Sequence, residues 1–257
     1  MASPASSAEV SWDYTGHAAH YDKRADYCGE AIDELLEMIG CVPPKTVADI
    51  GAGTGKLTKE LLKRGLTVRS VEPNEAMRQI GMRNTGCQSV EWSVGTGEHT
   101  GLASRSAYAV FFGSSFNVVD QRLALKEVAR VLLPGGWFAC MWNHRDLEDP
   151  VQKRIETLIK SFIPAYSYGL RREDPTLTIA ASGLFGAVRS LAGSFSWKMP
   201  RADIVQAWQS HATLRRQAGS DAHFERVIGA ISNYLEGEPA SIAVPYTTRI
   251  FFAQLTS

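Results

Sequence analysis

The sequence predicts an α/β protein: a doubly wound, mostly parallel seven-stranded sheet, an N-terminal helical lid and a C-terminal cap insertion. Three observations carry this. Strand-like and helix-like segments alternate between residues 46 and 142, the pattern of a parallel sheet with helices on both faces. A glycine-rich turn, Gly51-Ala52-Gly53-Thr54-Gly55, links the first strand directly to the next helix. The last segment, 242–255, alternates apolar and polar residues as a final strand does.

Each element has its own signal. Residues 30–39 carry Ile32, Leu35, Leu36 and Ile39 at helical spacing, and Pro43-Pro44 stop that helix. TVADI (46–50) is a short buried strand. Residues 56–65 form an amphipathic helix with Leu57, Leu61 and Leu62 inward, ended by Gly65. A second strand, TVRSV (67–71), precedes a helix over 74–83. Residues 87–92 and 107–112 are the third and fourth strands. A helix over 119–133 faces Leu123, Val128, Val131 and Leu132 inward. Pro134-Gly135-Gly136 then turns it into the fifth strand, 137–142.

Beyond residue 145 the alternation lapses. Residues 150–163 read as helix, 164–176 as an aromatic loop, 187–198 as containing a strand and 201–236 as largely helical. Pro245 in the last strand suggests an edge position or a bulge. The expected organisation is therefore one domain: tail and lid at 1–30, a core at 45–142, cap elements at 143–240 and a final strand at 241–257.

Composition narrows the function classes. The 257 residues are 44% hydrophobic and 21% charged, an ordinary globular balance. Lys plus Arg equals Asp plus Glu at 27 each, which disfavours a nucleic-acid clamp or a polybasic membrane binder. No apolar run approaches the ~20 residues of a membrane span. The first ten residues lack the basic and apolar stretches of a secretory signal, so a cytoplasmic protein is expected. Cys28, Cys41, Cys87 and Cys140 have no CxxC or zinc spacing. They read as reduced, mostly buried thiols, with Cys28 the candidate exposed exception, and no metal site is expected.

The glycine turn lets a ligand approach the backbone closely. A P-loop needs Gly, four residues, then Gly-Lys followed by Ser or Thr. Here Gly55-Lys56 is followed by Leu57, and Ile50 stands where the first glycine belongs. A dinucleotide turn needs Gly or Ala at its sixth position, where this chain has Lys56. That long side chain would hold the helix off the strand and crowd a pyrophosphate. The remaining pattern is an acid, Asp49, two residues before Gly51, with further glycines at 53 and 55. Glu72 ends the second strand 21 residues after Gly51, where a carboxylate accepts from both ribose hydroxyls. A capping network with Asn74 is the structural alternative there.

This ordered set, Asp49 through Gly55, Val71-Glu72-Pro73-Asn74 and Arg130 through Gly136, resembles the class I S-adenosylmethionine-dependent methyltransferases, which have a Rossmann-like fold. Within them it is most similar to the small-molecule group of the ubiquinone and menaquinone methyltransferases. The resemblance implies S-adenosylmethionine as cofactor and a small-molecule acceptor, possible in specialised metabolism. It implies that Arg24 meets the methionine carboxylate and that Tyr21 shields the sulfonium. It places Asp49, Gly51, Ala52, Gly53, Gly55, Glu72, Pro73, Met77, Thr96, Gly97, Glu98, Phe112, Gly113 and Ser114 around the cofactor.

The sequence departs from that group in two places. Thr96 stands where an acid would receive the adenine amino group, and a hydroxyl contributes less than a carboxylate there. The run Phe112 to Val118 lacks the group's His-Trp pair, with Asn117 replacing a potential base. His144, at the C-terminal end of the fifth strand, is the first candidate base; His17 and His20, in the lid, are the others. His99 lies past the adenine loop, and His211 and His223 read as surface or cap residues. Tyr166, Tyr168, Arg171 and Arg172, with Phe162, Trp197 and Trp208, are expected to line an acceptor pocket, its arginines suited to an anionic group. Two other functions stay open: the same fold used for cyclisation or regulation, and an NAD-dependent oxidoreductase.

Overall fold

A computed structural model describes residues 23–86 and 89–256, without the side chains of Leu170 and Arg171. The described residues form a seven-stranded sheet ordered β3-β2-β1-β4-β5-β7-β6. The strands are β1 (Thr46–Ile50), β2 (Thr67–Val71), β3 (Val90–Ser93), β4 (Ala107–Gly113), β5 (Leu132–Arg145), β6 (Arg189–Pro200) and β7 (Ser241–Gln254). The first five run parallel, and β7 pairs antiparallel with both β5 and β6. Chain order reverses between β1 and β4, so a crevice opens past their C-terminal ends, where open α/β sheets hold ligands.

The core helices are α1 (Gly29–Met38), α2 (Lys56–Lys63), α3 (Glu75–Thr85) and α4 (Gln121–Val131). Neighbouring strand residues point to opposite faces. Phe111 joins α1 and α2 in one core, through Leu35 and Leu61. Phe112 joins α4 in the other, through Val128 and Phe138. The cap adds α5 (Pro150–Phe162), α6 (Thr176–Ala181), α7 (Arg201–Gln209), α8 (Ala212–Ala218) and α9 (Asp221–Glu236). Its own core, built on Ile159, Trp208, Phe224 and Ile231, rests on Val244 and Tyr246 of β7.

Several expectations change at the element ends. Leu123 is 40% exposed instead of facing inward, because Asp120 caps α4 and sets its buried stripe on Ala124, Leu125, Val128 and Val131. Pro134-Gly135-Gly136 lies within β5: register jumps from Ala107↔Leu132 to Ala109↔Trp137, making the turn a bulge. β7 is an interior strand, yet Pro245 loses no ladder bond. Pairing with β5 stops at Arg145↔Tyr246, and the Pro245 carbonyl accepts from Asp146 just beyond (3.0 Å), so its nitrogen faces the side where β5 has ended. The 143–240 segment is not all cap, since β6 completes the sheet. Cys28 is buried, only 5% exposed, with its sulfur against β6 at Gly193. Cys41 and Cys140 are buried too, and burial pushes the Cys41 thiol up to about 11. Cys87 lies outside the described residues.

Candidate active site

Two adjoining cavities meet at the C-terminal ends of β1 and β4, sharing Gly51, Gly53 and Ser114 in their walls. The glycine turn between β1 and α2 divides them. Gly51 has φ +66°, and a Cβ there would stand 2.6 Å from the Ser115 Cβ, so the turn runs directly against the end of β4. Gly55 caps α2 with φ +80° and lies off both cavity walls. A Cβ on it would meet Thr85, Trp92 and Gly81 at 3.3–3.4 Å, so its role here is close packing on α3 and β3.

The turn's amides are largely engaged inside the protein. Gly51 and Ala52 donate to the Val71 carbonyl (2.8 and 3.1 Å), Gly53 to Glu72 Oε2 (2.8 Å) and Gly55 to the Ala52 carbonyl (2.9 Å). A phosphate cradle needs such amides free. Lys56, which crowds that position, reaches across to Asp26 at 2.8 Å. The turn thus suits a ligand that lies along it without a pyrophosphate.

The first cavity is lined by Arg24, Tyr27, Asp49, Gly113, Ser114 and His144, among others. Asp49 is fully buried, and its Oδ2 accepts from the Thr58 hydroxyl at 2.7 Å. Oδ1 has no partner among the described residues. Burial, opposed by the Thr58 hydrogen bond and reinforced by the Glu72 charge, lifts Asp49 to about 7. A ligand ammonium is the group that would relieve this. Ser114 takes φ +61° and shares a 3.1 Å hydrogen bond with the Tyr27 hydroxyl. Arg24 donates through Nε to Ser210 Oγ (2.9 Å) and through Nη2 to the Ser210 carbonyl (2.6 Å), tying the chain before α1 to the cap.

The second cavity is lined by Glu72, Pro73, Met77, Thr96, Gly97, Glu98 and Phe112 beside the shared turn. Glu72 is buried, with Oε2 on Gly53 and Oε1 accepting from the Asn74 amide (2.9 Å). Asn74 caps α3 by accepting from Met77 (3.0 Å). The capping network and the ligand position coexist, because each carboxylate oxygen has a second lone pair. Burial raises the Glu72 pKa against these two amides. Thr96 is exposed and closes its loop by accepting from the His99 amide (3.2 Å). Glu98 Oε1 accepts from the Asp120 amide (2.7 Å), joining this loop to α4.

Of the proposed bases, His144 lies in β5 opposite Thr247 and lines the first cavity. His17, His20 and Tyr21 lie outside the described residues. His99 is exposed, and His223 packs on Phe162. Asn117 Oδ1 accepts from the Trp142 indole (2.8 Å), so its amide is structural. Of the expected acceptor-pocket residues, Tyr168 and Arg172 reach the cavity, whereas Phe162, Trp197 and Tyr166 belong to the cap core. Sequence reasoning missed Arg145, His211 and Tyr246, which also line it. His211, 5% exposed, caps α8 with Nδ1 accepting from Leu214 (3.2 Å). Its neutral ring therefore carries a proton on Nε2 and is a donor, not a base. A cap residue three positions before a backbone amide was the available signal for His211; Arg145 and Tyr246 had none, since their pairing is long-range.

Residues 48–140 match the family described as a methyltransferase domain. An uncharacterized methyltransferase of Mycobacterium tuberculosis is 39% identical over 139 residues, covering 54% of this chain and 55% of the relative. A ubiquinone/menaquinone biosynthesis C-methyltransferase of Caulobacter vibrioides is 31% identical over 145 residues, covering 51% and 57%. This chain thus spans about half the length of the curated relatives it matches. The solved structure of Haemonchus contortus phosphoethanolamine N-methyltransferase 2 with S-adenosyl-L-methionine has a similar fold, with TM-score 0.54 at 13% identity over 93% of this chain and 57% of that one. Residues 48–140, which hold the glycine turn, are thus similar to a methyltransferase domain, and the chain as a whole shares its fold with solved methyltransferases.

Proposed function

We propose that this protein is an enzyme that transfers the methyl group of S-adenosylmethionine to an O, N or C atom of a small-molecule acceptor. The observation that carries this reading is the pair of adjoining cavities on either side of the Gly51–Gly53 turn, one lined by Asp49 and the other by Glu72, with Ser114 in both walls. Glu72 would hold the ribose, the loop of Thr96 to Glu98 the adenine, and Asp49 with Arg24 the charged amino-acid end. The cofactor supplies a methyl already activated on a sulfonium.

The protein's part is then to place the acceptor atom ~3 Å away, in line, and to exclude water. The cap does this by covering the C-terminal end of β5. For a hydroxyl or an acidic carbon acceptor, His144 is the base within the cleft; a neutral amine needs none. The balanced charge of the whole chain supports a small acceptor over nucleic acid. Among the described residues no helix is long and apolar enough to cross a membrane, and a cytoplasmic setting remains the proposal.

Calorimetric titration with S-adenosylmethionine, S-adenosylhomocysteine and NADH tests the cofactor class. Micromolar binding of the first two, lost in Glu72→Ala, supports the reading, and NADH binding alone overturns it. Methyl accounting with labelled cofactor then separates methyl transfer from cyclisation or regulation on the same fold.

A further inference from the structure

Residues 23–28, just before α1, form a short strap between the cap and the glycine turn. Toward the cap, Lys23 pairs with Asp203 of α7 (3.5 Å), and Arg24 donates to Ser210 at the end of that helix. Toward the turn, Asp26 pairs with Lys56, the first residue of α2 (2.8 Å). The Tyr27 hydroxyl meets Ser114 Oγ (3.1 Å) just past β4. Arg24, Ala25 and Tyr27 are thereby part of the wall of the first cavity. Residues 25–28 belong to no helix or strand, so no backbone ladder of their own fixes them, and their placement depends on side-chain contacts.

One row of residues across the antiparallel part of the sheet seats this strap. Asn143 of β5, Thr248 of β7 and Gly193 of β6 lie side by side at the same register level. Asn143 Nδ2 donates to the backbone carbonyls of Asp26 (2.8 Å) and Ala25 (3.3 Å). Its Oδ1 accepts from the Thr248 hydroxyl (2.6 Å), and that hydroxyl accepts in turn from the Cys28 amide (2.8 Å). Gly193 leaves the room in which the Cys28 side chain lies. The circuit is closed and runs in one sense. Carbonyls only accept and a backbone amide only donates, so the Asn143 amide and the Thr248 hydroxyl each have a single orientation that satisfies every partner. Thr248 is fully buried, where a hydrogen bond left unmade costs most.

We propose that Asn143 and Thr248 are positioning residues for the cofactor site: they clasp residues 23–28 to the sheet and so set where Arg24 and Tyr27 stand on the first cavity. The inference rests on the methyl-transfer reading, which gives that cavity the amino-acid end of the cofactor. Releasing the clasp opens the strap locally and leaves the sheet beneath it paired.

Trypsin reads the strap without any ligand. Lys23 and Arg24 are the first Lys or Arg in the sequence, so cleavage there is the earliest along the chain. It requires the strap to leave its seat, and its rate follows the open population. Thr248→Val keeps the side chain's shape and removes the hydroxyl; Asn143→Asp keeps the acceptor and removes both donors. Each is expected to speed strap cleavage about 10-fold, with cleavage of the rest of the chain unchanged. Calorimetry should show the same variants binding S-adenosylhomocysteine about 10-fold more weakly. Thr248→Ser, which retains the hydroxyl, should match the wild type in both measurements. Asn143 is only partly buried, so its variant decides the matter if Thr248→Val does not fold. Strap cleavage at the wild-type rate in the variants, faster cleavage with unchanged affinity, or Thr248→Ser as impaired as Thr248→Val overturns the assignment. So does cleavage of the whole chain rising in step with the strap, since the two residues would then be holding the fold and not the strap. Failure of the wild-type chain to bind S-adenosylhomocysteine would instead sink the methyl-transfer reading, with the cleavage rates still judging the clasp.

Discussion

Two buried carboxylates decide how this cleft behaves at the level of single residues. Glu72 is held by two backbone amides and turned toward the second cavity. Losing its hydrogen bonds to a ribose is expected to weaken S-adenosylhomocysteine by roughly 10- to 100-fold in Glu72→Ala, read by calorimetry. Asp49 makes the cleft pH-dependent. Its pKa of about 7 in the fold lies above the ~3.9 of an unfolded aspartate. Between those values the folded chain keeps a proton that the unfolded chain has released, so stability falls as pH rises through that window. Urea unfolding from pH 4 to 7 should show that slope in the wild type and a flatter one in Asp49→Asn. An ammonium placed beside Asp49 favours the carboxylate, so cofactor affinity should rise with pH through about 7. The same rise in Asp49→Asn would remove Asp49 from that role.

At the scale of elements, close backbone contacts hold the cleft in shape. Gly193 in β6 lets α1 lie against the sheet, since a Cβ there would stand 2.7 Å from the Cys28 sulfur and 2.8 Å from the Ala31 Cβ. Gly193→Ala is expected to destabilise by about 1–3 kcal/mol, through overpacking that displaces α1. Because α1 follows directly on Arg24 and Tyr27, the same change should also weaken cofactor binding. A stability loss without any binding loss would show that α1 and the residues before it are uncoupled. The helices themselves were readable: Ile32, Leu35, Leu36 and Ile39, and Leu57, Leu61 and Leu62, are all buried as their spacing requires. Leu123 was misread because an apolar residue in the first turn belongs to whichever stripe the N-cap dictates, and Asp120 dictates another.

For the whole molecule, a ligand that binds only the folded state stabilises it by mass action. S-adenosylhomocysteine at 100 times its dissociation constant is expected to add about 2.7 kcal/mol. That corresponds to a rise of roughly 5–11 °C in Tm for a chain of this size. Scanning calorimetry with and without the ligand measures it, and NADH at the same concentration should leave Tm where it was. A shift by NADH alone would return the turn to the dinucleotide class despite its engaged amides.

The core and its cleft floor were legible in the sequence because their signals are local. Alternation of strands and helices, the turn of Gly51 to Gly55 and the acid at 72 each declare themselves within a few residues. Most of the residues expected around the cofactor that are described, Arg24, Asp49, Glu72, Thr96 and Ser114 among them, line the two cavities; Gly55 is the exception. The cap-side wall of the first cavity was not legible. Arg145, His211 and Tyr246 come from β5, the start of α8 and β7, and only antiparallel pairing of β5 with β7 and docking of the cap on both bring them to one wall. Sequence by itself determined the class of fold and the cleft floor around the glycine turn, since period and turn chemistry are short-range. Tertiary structure alone decided the cap-side wall of the first cavity, since that wall is assembled from residues as far as 101 positions apart, whose meeting depends on strand register and helix packing, and no local pattern encodes either.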